Sequence, residues 1–242
     1  EVLRWAGPAG GNLMQAAREA RLALIGDWAQ NRIGARVEAV VLAHTLDDQA
    51  ETLLMRLARG SGVDGLSGMA AAREAGGVLW LRPLLGVTRA ALRAELQARG
   101  IGWIDDPSNA DPRYLRVRAR RALAALADLG IGAEGLAATA GRIRRARAAL
   151  EAQAQAALEA LVHEDRGTLR IDAAAGALLP EIRDRLFAHL LMELAGSRFR
   201  PRLAELQRWI AAGQGTLAGC RLMPEAGGWR LGREARAVAG LV

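Results

Sequence analysis

The sequence predicts an α/β domain over residues 1–130, followed over residues 131–242 by a mainly helical domain with short strands. Three observations predict it. A short valine-rich run, VEAVVLA (37–43), lies between two segments whose apolar residues recur at helical spacing, the alternation expected of strands and crossover helices. A second apolar run, VLWL (78–81), again precedes a helical segment. From Gly132 the alternation gives way to an alanine-rich helical pattern with arginine clusters, which puts a boundary near residues 128–132.

The elements follow in order. Asn12 is placed to cap a first helix in which Leu13, Ala16, Ala17, Ala20, Leu24 and Trp28 fall on one face. VEAVVLA is nearly continuous in apolar residues, as a strand buried on both faces of a parallel sheet would be. Thr45 and Asp48 form a capping pair for the next helix, whose face is Leu46, Ala50, Leu53, Leu54 and Leu57 and which stops before Gly60. VLWL reads as a strand, and Thr88 opens a helix running to Gly100. Asp111 and Pro112 make a further helix start, with Leu115, Ala119, Ala122, Leu123 and Leu126 on one side. Beyond the helix over 132–161, the chain carries a strand in TLRID, helices around 182–194 and 202–211, and two short strands around TLAGCRLM and GGWRLG.

Composition narrows the function classes. No run of 18 or more apolar residues appears and the first residues lack the pattern of a secretory signal, so no membrane association and a cytoplasmic location are expected. Cys220 is the only cysteine, which excludes an internal disulfide and a multi-cysteine zinc site; His163 and His189 carry no pattern of their own, and no metal ligands are assigned. All 33 basic residues are arginine, against 26 acidic ones, and the net charge of +7 points toward a polyanionic partner such as nucleic acid.

The densest chemistry lies in AHTLDDQAETLLMRLARGSG (43–62). His44 falls at the carboxyl end of the first strand, the edge of an open α/β sheet where ligands collect. Asp47, Asp48 and Glu51 occupy the first turns of the following helix, where carboxylates also serve simply to complement the positive helix end. The four glycines of RGSGVDGLSGM (59–69) permit either a phosphate cradle or a tight irregular loop, and the spacing is not that of a Walker P-loop. IDDPSNADPRY (104–114) is ambiguous in the same way: its Asp-Pro and Asn-Ala-Asp-Pro steps are ordinary turn chemistry, and a functional loop stays open beside that reading. Arg116 and Arg120 stand four residues apart on one helix face, where like charges repel and an anion would relieve them; Arg142, Arg144, Arg145 and Arg147 form a second basic cluster. A solvated basic face is the commoner explanation of clusters of this kind.

Taken in order, AHTLDDQAETLLMRLARGSGVDGLSGM, LRPLL and WIDDPSNADPRYLRVRAR resemble the tRNA(Ile)-lysidine synthetase family, within the N-type ATP pyrophosphatase (PP-loop) group. The likeness runs from about Ala43 to Arg120, extends to NLMQAAREARLALI and the TLAG and GREAR segments, and rests between Gly132 and Arg200 on helical character alone. It implies an adenine-nucleotide-hydrolase-like, partly parallel-sheet catalytic domain and a helical, tRNA-binding C-terminal domain. It further implies ATP and Mg2+, free lysine and tRNA(Ile) with a CAU anticodon as substrates and partners, and it is compatible with a homodimer. The reaction it implies adenylates C2 of the wobble cytidine through its oxygen and then joins lysine there, displacing AMP. Carried over motif by motif, His44, Asp48 and Arg116 would be catalytic, with Asp48 holding the lysine ammonium. Asp47, Glu51, Thr52, Arg59, Gly60, Ser61 and Gly62 would bind substrate, and Asn109, Arg118, Arg120, Arg144, Arg145 and Arg147 would contact tRNA.

Three departures qualify the likeness. The family's Ser-Gly-Gly-x-Asp-Ser loop does not occur in these 242 residues, Ala43 stands where glycine is usual, and Val117 stands where asparagine is usual. The first suggests a fragment that does not make lysidine alone, since the pyrophosphate would lack its cradle. Two other readings stay open: an inactive RNA-binding module that keeps the basic helices, and a tRNA-thiolating enzyme of the same group. The single Cys220, far from the site, argues against the second.

Overall fold

The computed structural model describes residues 2–5, 7, 13–31, 37–105, 111–197 and 199–234. They divide into two compact units, Glu1–Arg144 and Arg145–Val242; the capping residue expected at Asn12 lies outside the described residues.

In the first unit the order is α1 (Leu13–Gln30), β1 (Val40–Val41), α2 (Leu46–Leu57), α3 (Val63–Leu66), β2 (Ala72–Ala75), β3 (Val78–Leu81), α4 (Arg89–Ala98) and α5 (Leu115–Leu126). The sheet runs β1-β3-β2, with β1 parallel to β3 and β2 antiparallel to it. The parallel pair meets the α/β expectation, while β2 was not foreseen: AREA carries two charges and no β-branched residue, and its pairing is set by the Gly76-Gly77 hairpin turn, both glycines having positive φ. A small core forms where Leu22, Ile25, Trp28 and Ala29 of α1 meet Val40, Val78 and Trp80.

Three expectations need correction here. VEAVVLA does not form a strand buried on both faces: β1 has two residues and Val41 is 61% exposed, because among the described residues β1 pairs with β3 alone. The buried side of α2 is Gln49, Ala50, Glu51 and Leu53 rather than an all-apolar stripe, and Leu57 is exposed. Helix α5 begins at Leu115, three residues after Pro112. Asp111 holds the preceding turn closed, its carboxylate accepting from the Arg113 backbone N–H at 2.9 Å and from its guanidinium at 2.6–3.1 Å. Ala122 is exposed, and Val117 and Ala119 face inward instead.

Helix α6 (Ala133–Leu161) runs without interruption through the residues at which the two units divide. The second unit then continues with β4 (Val162–Asp165), β5 (Thr168–Asp172), α7 (Pro180–Ala195), α8 (Leu203–Ala212), β6 (Gly215–Leu217), β7 (Cys220–Glu225) and β8 (Gly228–Arg233). The strands foreseen in TLRID and around Cys220 and Trp229 join β4 in one antiparallel sheet, ordered β4-β5-β8-β7-β6. Its inner face meets α7 and α8 through Ile171, Leu186, Phe187, Leu190, Leu222 and Leu231, and Phe187 makes edge-on contacts with Trp209 and Trp229 at 6.0 and 6.2 Å. Cys220 lies fully buried in this core, where burial raises its thiol pKa against the opposing pull of Arg233. Among the described residues no single helix is long and apolar enough to cross a membrane.

Candidate active site

Helix α2 starts where β1 ends, and its first turn is doubly tied. Asp48 accepts from the Thr45 backbone N–H at 2.7 Å and from the Thr45 hydroxyl at 3.0 Å, while the Thr45 oxygen accepts from the Asp48 N–H at 3.4 Å, a reciprocal capping box. Helix α4 docks head to head against this turn. The Leu46 N–H donates to the Val87 carbonyl at 2.9 Å, and the Arg89 N–H donates to the Asp47 carboxylate at 2.6 Å. Each helix thus supplies an acceptor for an N–H group that the other leaves open.

This bracing brings one buried carboxylate under three arginines. Glu51 is 0% exposed; it accepts from Arg116 Nε at 2.8 Å, Arg120 Nε at 2.9 Å and Arg89 Nη2 at 3.4 Å. Asp48 Oδ1 lies 3.2 Å from Arg89 Nη2 and 3.2 Å from Arg116 Nη2. Burial opposes the charge on Asp48, yet the Thr45 N–H, the guanidinium groups of Arg116 and Arg89 and the Thr45 hydroxyl together hold its pKa below the usual carboxylate value. With the Asp47 carboxylate on the Arg89 N–H, three arginines face three carboxylates at the head of α2. The three arginine side chains are about a third exposed, at 31, 34 and 38%, so the cluster is not sealed from an incoming anion.

The residues singled out in the sequence separate into groups. His44, Asp47, Asp48, Glu51, Arg116 and Arg120 gather at the head of α2, with Arg120 in the carboxylate network rather than on a free basic face. Thr52 is half-buried one position along the helix from Glu51. Arg59, Gly60, Ser61 and Gly62 lie past the far end of α2, about 16 Å along the axis from Asp48 at 1.5 Å per residue.

That turn is itself fastened. The Gln49 amide donates to the Met69 carbonyl and accepts from the Met69 N–H, both at 2.7 Å; Arg56 donates to the carbonyls of Gly65 and Gly68, and Arg144 to that of Ser67 at 3.1 Å. Arg144 therefore braces a loop instead of standing in a solvated cluster, whereas Arg118, Arg145 and Arg147 are exposed. Val117 is buried, so a polar group at that position would point into the core. Asn109 lies outside the described residues.

Arg89 was not singled out from the sequence. The available signal was positional: a cation in the first turn of a helix opposes the helix dipole, and Arg89 immediately follows the Thr88 cap. What offsets that cost is Asp48 and Glu51, forty-one and thirty-eight residues earlier.

The profile of the PP-loop domain family matches residues 2–127, a little over half of the chain. Curated relatives cover most of it. The chain is 44% identical over 244 residues to a tRNA(Ile)-lysidine synthase of Ruegeria pomeroyi, an alignment taking in 98% of the chain and 58% of that protein. It is 43% identical to that of Methylobacterium nodulans (86% of the chain, 61% of that protein) and 42% identical to that of Novosphingobium aromaticivorans (93% and 69%). The chain belongs to the PP-loop domain family and, within it, to the tRNA(Ile)-lysidine synthase family. It spans about three fifths of the length of the first of these relatives.

Proposed function

We propose that this chain carries the amino-acid and tRNA side of a tRNA(Ile)-lysidine synthase: ATP-dependent joining of free lysine to C2 of the wobble cytidine in a CAU anticodon, in the cytoplasm. The observation that carries the proposal is the set of three guanidinium groups on the buried carboxylate of Glu51, at the strand end where His44 also lies. Adenylation and displacement of AMP both develop charge on phosphate oxygens, and a cluster of arginines already fixed by carboxylates meets that charge without reorganising. Bound ATP would supply the leaving group, and the outer edges of Arg89, Arg116 and Arg120 are the groups that would hold its phosphate.

Lysine must be held as a cation and then attack as a neutral amine. Asp48 suits the first task. Its contacts to Arg89 and Arg116 are 3.2 Å each, longer than the 2.8 Å Arg116–Glu51 bond, so an incoming ammonium exchanges against the weaker partners. Its charged form is favoured by Thr45 and the arginines once burial is outweighed. His44, half-buried at the same strand end, carries the imidazole to which we assign the amine proton. For a magnesium ion, the described residues offer no cluster of three ligating side chains. No step is assigned to it.

The test is incorporation of labelled lysine into a CAU-anticodon tRNA(Ile) transcript with ATP, using this chain alone and joined to a segment carrying the Ser-Gly-Gly-x-Asp-Ser motif. Incorporation that depends on ATP and disappears in Asp48→Asn, with tRNA affinity retained, supports the reading. Retained tRNA binding with no incorporation in either form points instead to a binding module without catalysis.

A further inference from the structure

A second basic feature lies outside the Glu51 network. Arg82 follows the last residue of β3, at the carboxyl end of the strand parallel to β1, and so leaves the sheet at the edge from which His44 also leaves. Its position is fixed: the backbone N–H donates to the Ala71 carbonyl at 2.7 Å, and Nη1 donates to the Ala70 carbonyl at 3.0 Å. Its Nε is buried with no acceptor among the described residues. Arg73 pairs with Trp80 across the hairpin; strand alternation returns Arg82 to the side of Trp80, hence to the side of Arg73. Neither guanidinium meets a carboxylate among the described residues. Burial and then the nearby charge of Arg73 press the Arg82 pKa downward, the mark of a cation that lacks its counter-ion.

A guanidinium held partly out of water, beside a second cation and without an anion, is costly to maintain in isolation. It is relieved when a phosphate reaches the Nη end, which lies at the surface with the Ala70 bond. Arg73 is exposed on the outer strand of the hairpin, so the two cations form an open shelf, not a closed niche. That suits the extended anion of a polynucleotide better than the compact anion of a nucleotide. We propose that Arg73 and Arg82 form an RNA-phosphate contact on the β2–β3 hairpin, separate from the Glu51 network. The inference rests on the reading that the chain handles tRNA, but it concerns a backbone contact, which carries no sequence information.

The experiment measures affinity of the chain for the CAU-anticodon tRNA(Ile) and for an unrelated tRNA across a range of salt concentrations. Arg73→Gln, Arg82→Gln, the double variant and Arg82→Lys are compared with the parent. The double variant is expected to weaken both RNAs about equally and to lower the salt slope by about 1 to 2, as the loss of one or two phosphate contacts would. Arg82→Lys, which keeps the charge, is expected to keep the slope. Arg73→Gln alters an exposed side chain, so its effect is read without concern for folding. An unchanged slope in the double variant, or no RNA binding by the parent chain, overturns the contact. So does weakened MgATP binding with RNA affinity intact, which would reassign the pair to a nucleotide phosphate. Equal parental affinity for the two tRNAs counts against the tRNA(Ile) reading alone and leaves the contact standing.

Discussion

Glu51 is the residue on which the candidate site turns, because its one carboxylate, on α2, neutralises arginines of two other helices, α4 and α5. Removing its charge leaves Asp48 alone against Arg89 and Arg116 and strips Arg120 of the Glu51 carboxylate. We therefore expect Glu51→Gln to lower stability by about 2 to 3 kcal/mol, toward the lower end of what breaking a buried ion pair costs, since the arginines keep some hydration. Urea unfolding measures it, and a loss under about 1 kcal/mol would mean the guanidinium groups are solvated independently. Asp48 gives a pH-dependent counterpart. Its pKa in the folded chain is depressed below the ordinary value, so its contribution is fully present above about pH 4 and is lost as pH falls through the lower, folded value. Melting followed from pH 6 down to pH 2 should fall less steeply in Asp48→Asn; parallel curves would remove Asp48 from the charge network. Much of this was legible: His44, Asp48, Glu51 and Arg116 stand in the sequence as a strand end, two carboxylates and a basic helix. Arg89 was not, because its partners are set by the docking of α4 on α2 through Asp47 and Val87, a contact with no local signature.

At the scale of elements, the loop after α2 depends on one helix reaching back to hold it. Gly68 has φ +70°, and a Cβ added there would stand 2.7 Å from Gln49 Oε1 and 3.2 Å from the Ala140 Cβ. Gly68→Ala is expected to cost about 2 kcal/mol or more, combining the left-handed backbone penalty with overpacking. Gln49→Ala strips two bonds from the Met69 backbone, for about 1 to 3 kcal/mol. The two changes should not add. Once Gln49 is shortened the closest clash disappears, so the double variant should recover about 1 kcal/mol of the summed loss, and strict additivity would show that Gln49 does not determine the fit at Gly68. The same loop explains a limit of reading from pattern. Four glycines in eleven residues allowed a phosphate cradle or a tight turn, and spacing alone could not choose; the bonds from Gln49, Arg56 and Arg144 come from residues 20, 9 and 77 positions away. Strand β1 fell short of its expected burial for a related reason, since two-sided burial belongs to a strand's neighbours and not to its own valines.

For the whole molecule, a net charge of +7 says little until the arginines are sorted by what they already hold. Those of the Glu51 network, Arg144 on Ser67, Arg185 between Glu151 and Glu181, and Arg230 between Asp165 and Glu225 have internal work. Arg118 and Arg145 are exposed and meet no carboxylate among the described residues. If polyanion binding follows availability and not count, the Arg118→Ala, Arg145→Ala pair should lower the salt slope of tRNA binding by about 1.5 without moving the urea midpoint. Arg144→Ala should do the reverse, lowering stability by about 1 to 2 kcal/mol as the Ser67 carbonyl loses a charged donor while leaving the slope unchanged. Sequence placed Arg144 and Arg145 in one cluster because they are adjacent, but on a helix neighbouring residues point about 100° apart; one turns to the loop and the other to solvent. Equilibrium binding at four or five salt concentrations, with denaturation of the same preparations, separates the two behaviours. A lowered slope in Arg144→Ala at unchanged stability would restore the single basic face and undo the distinction.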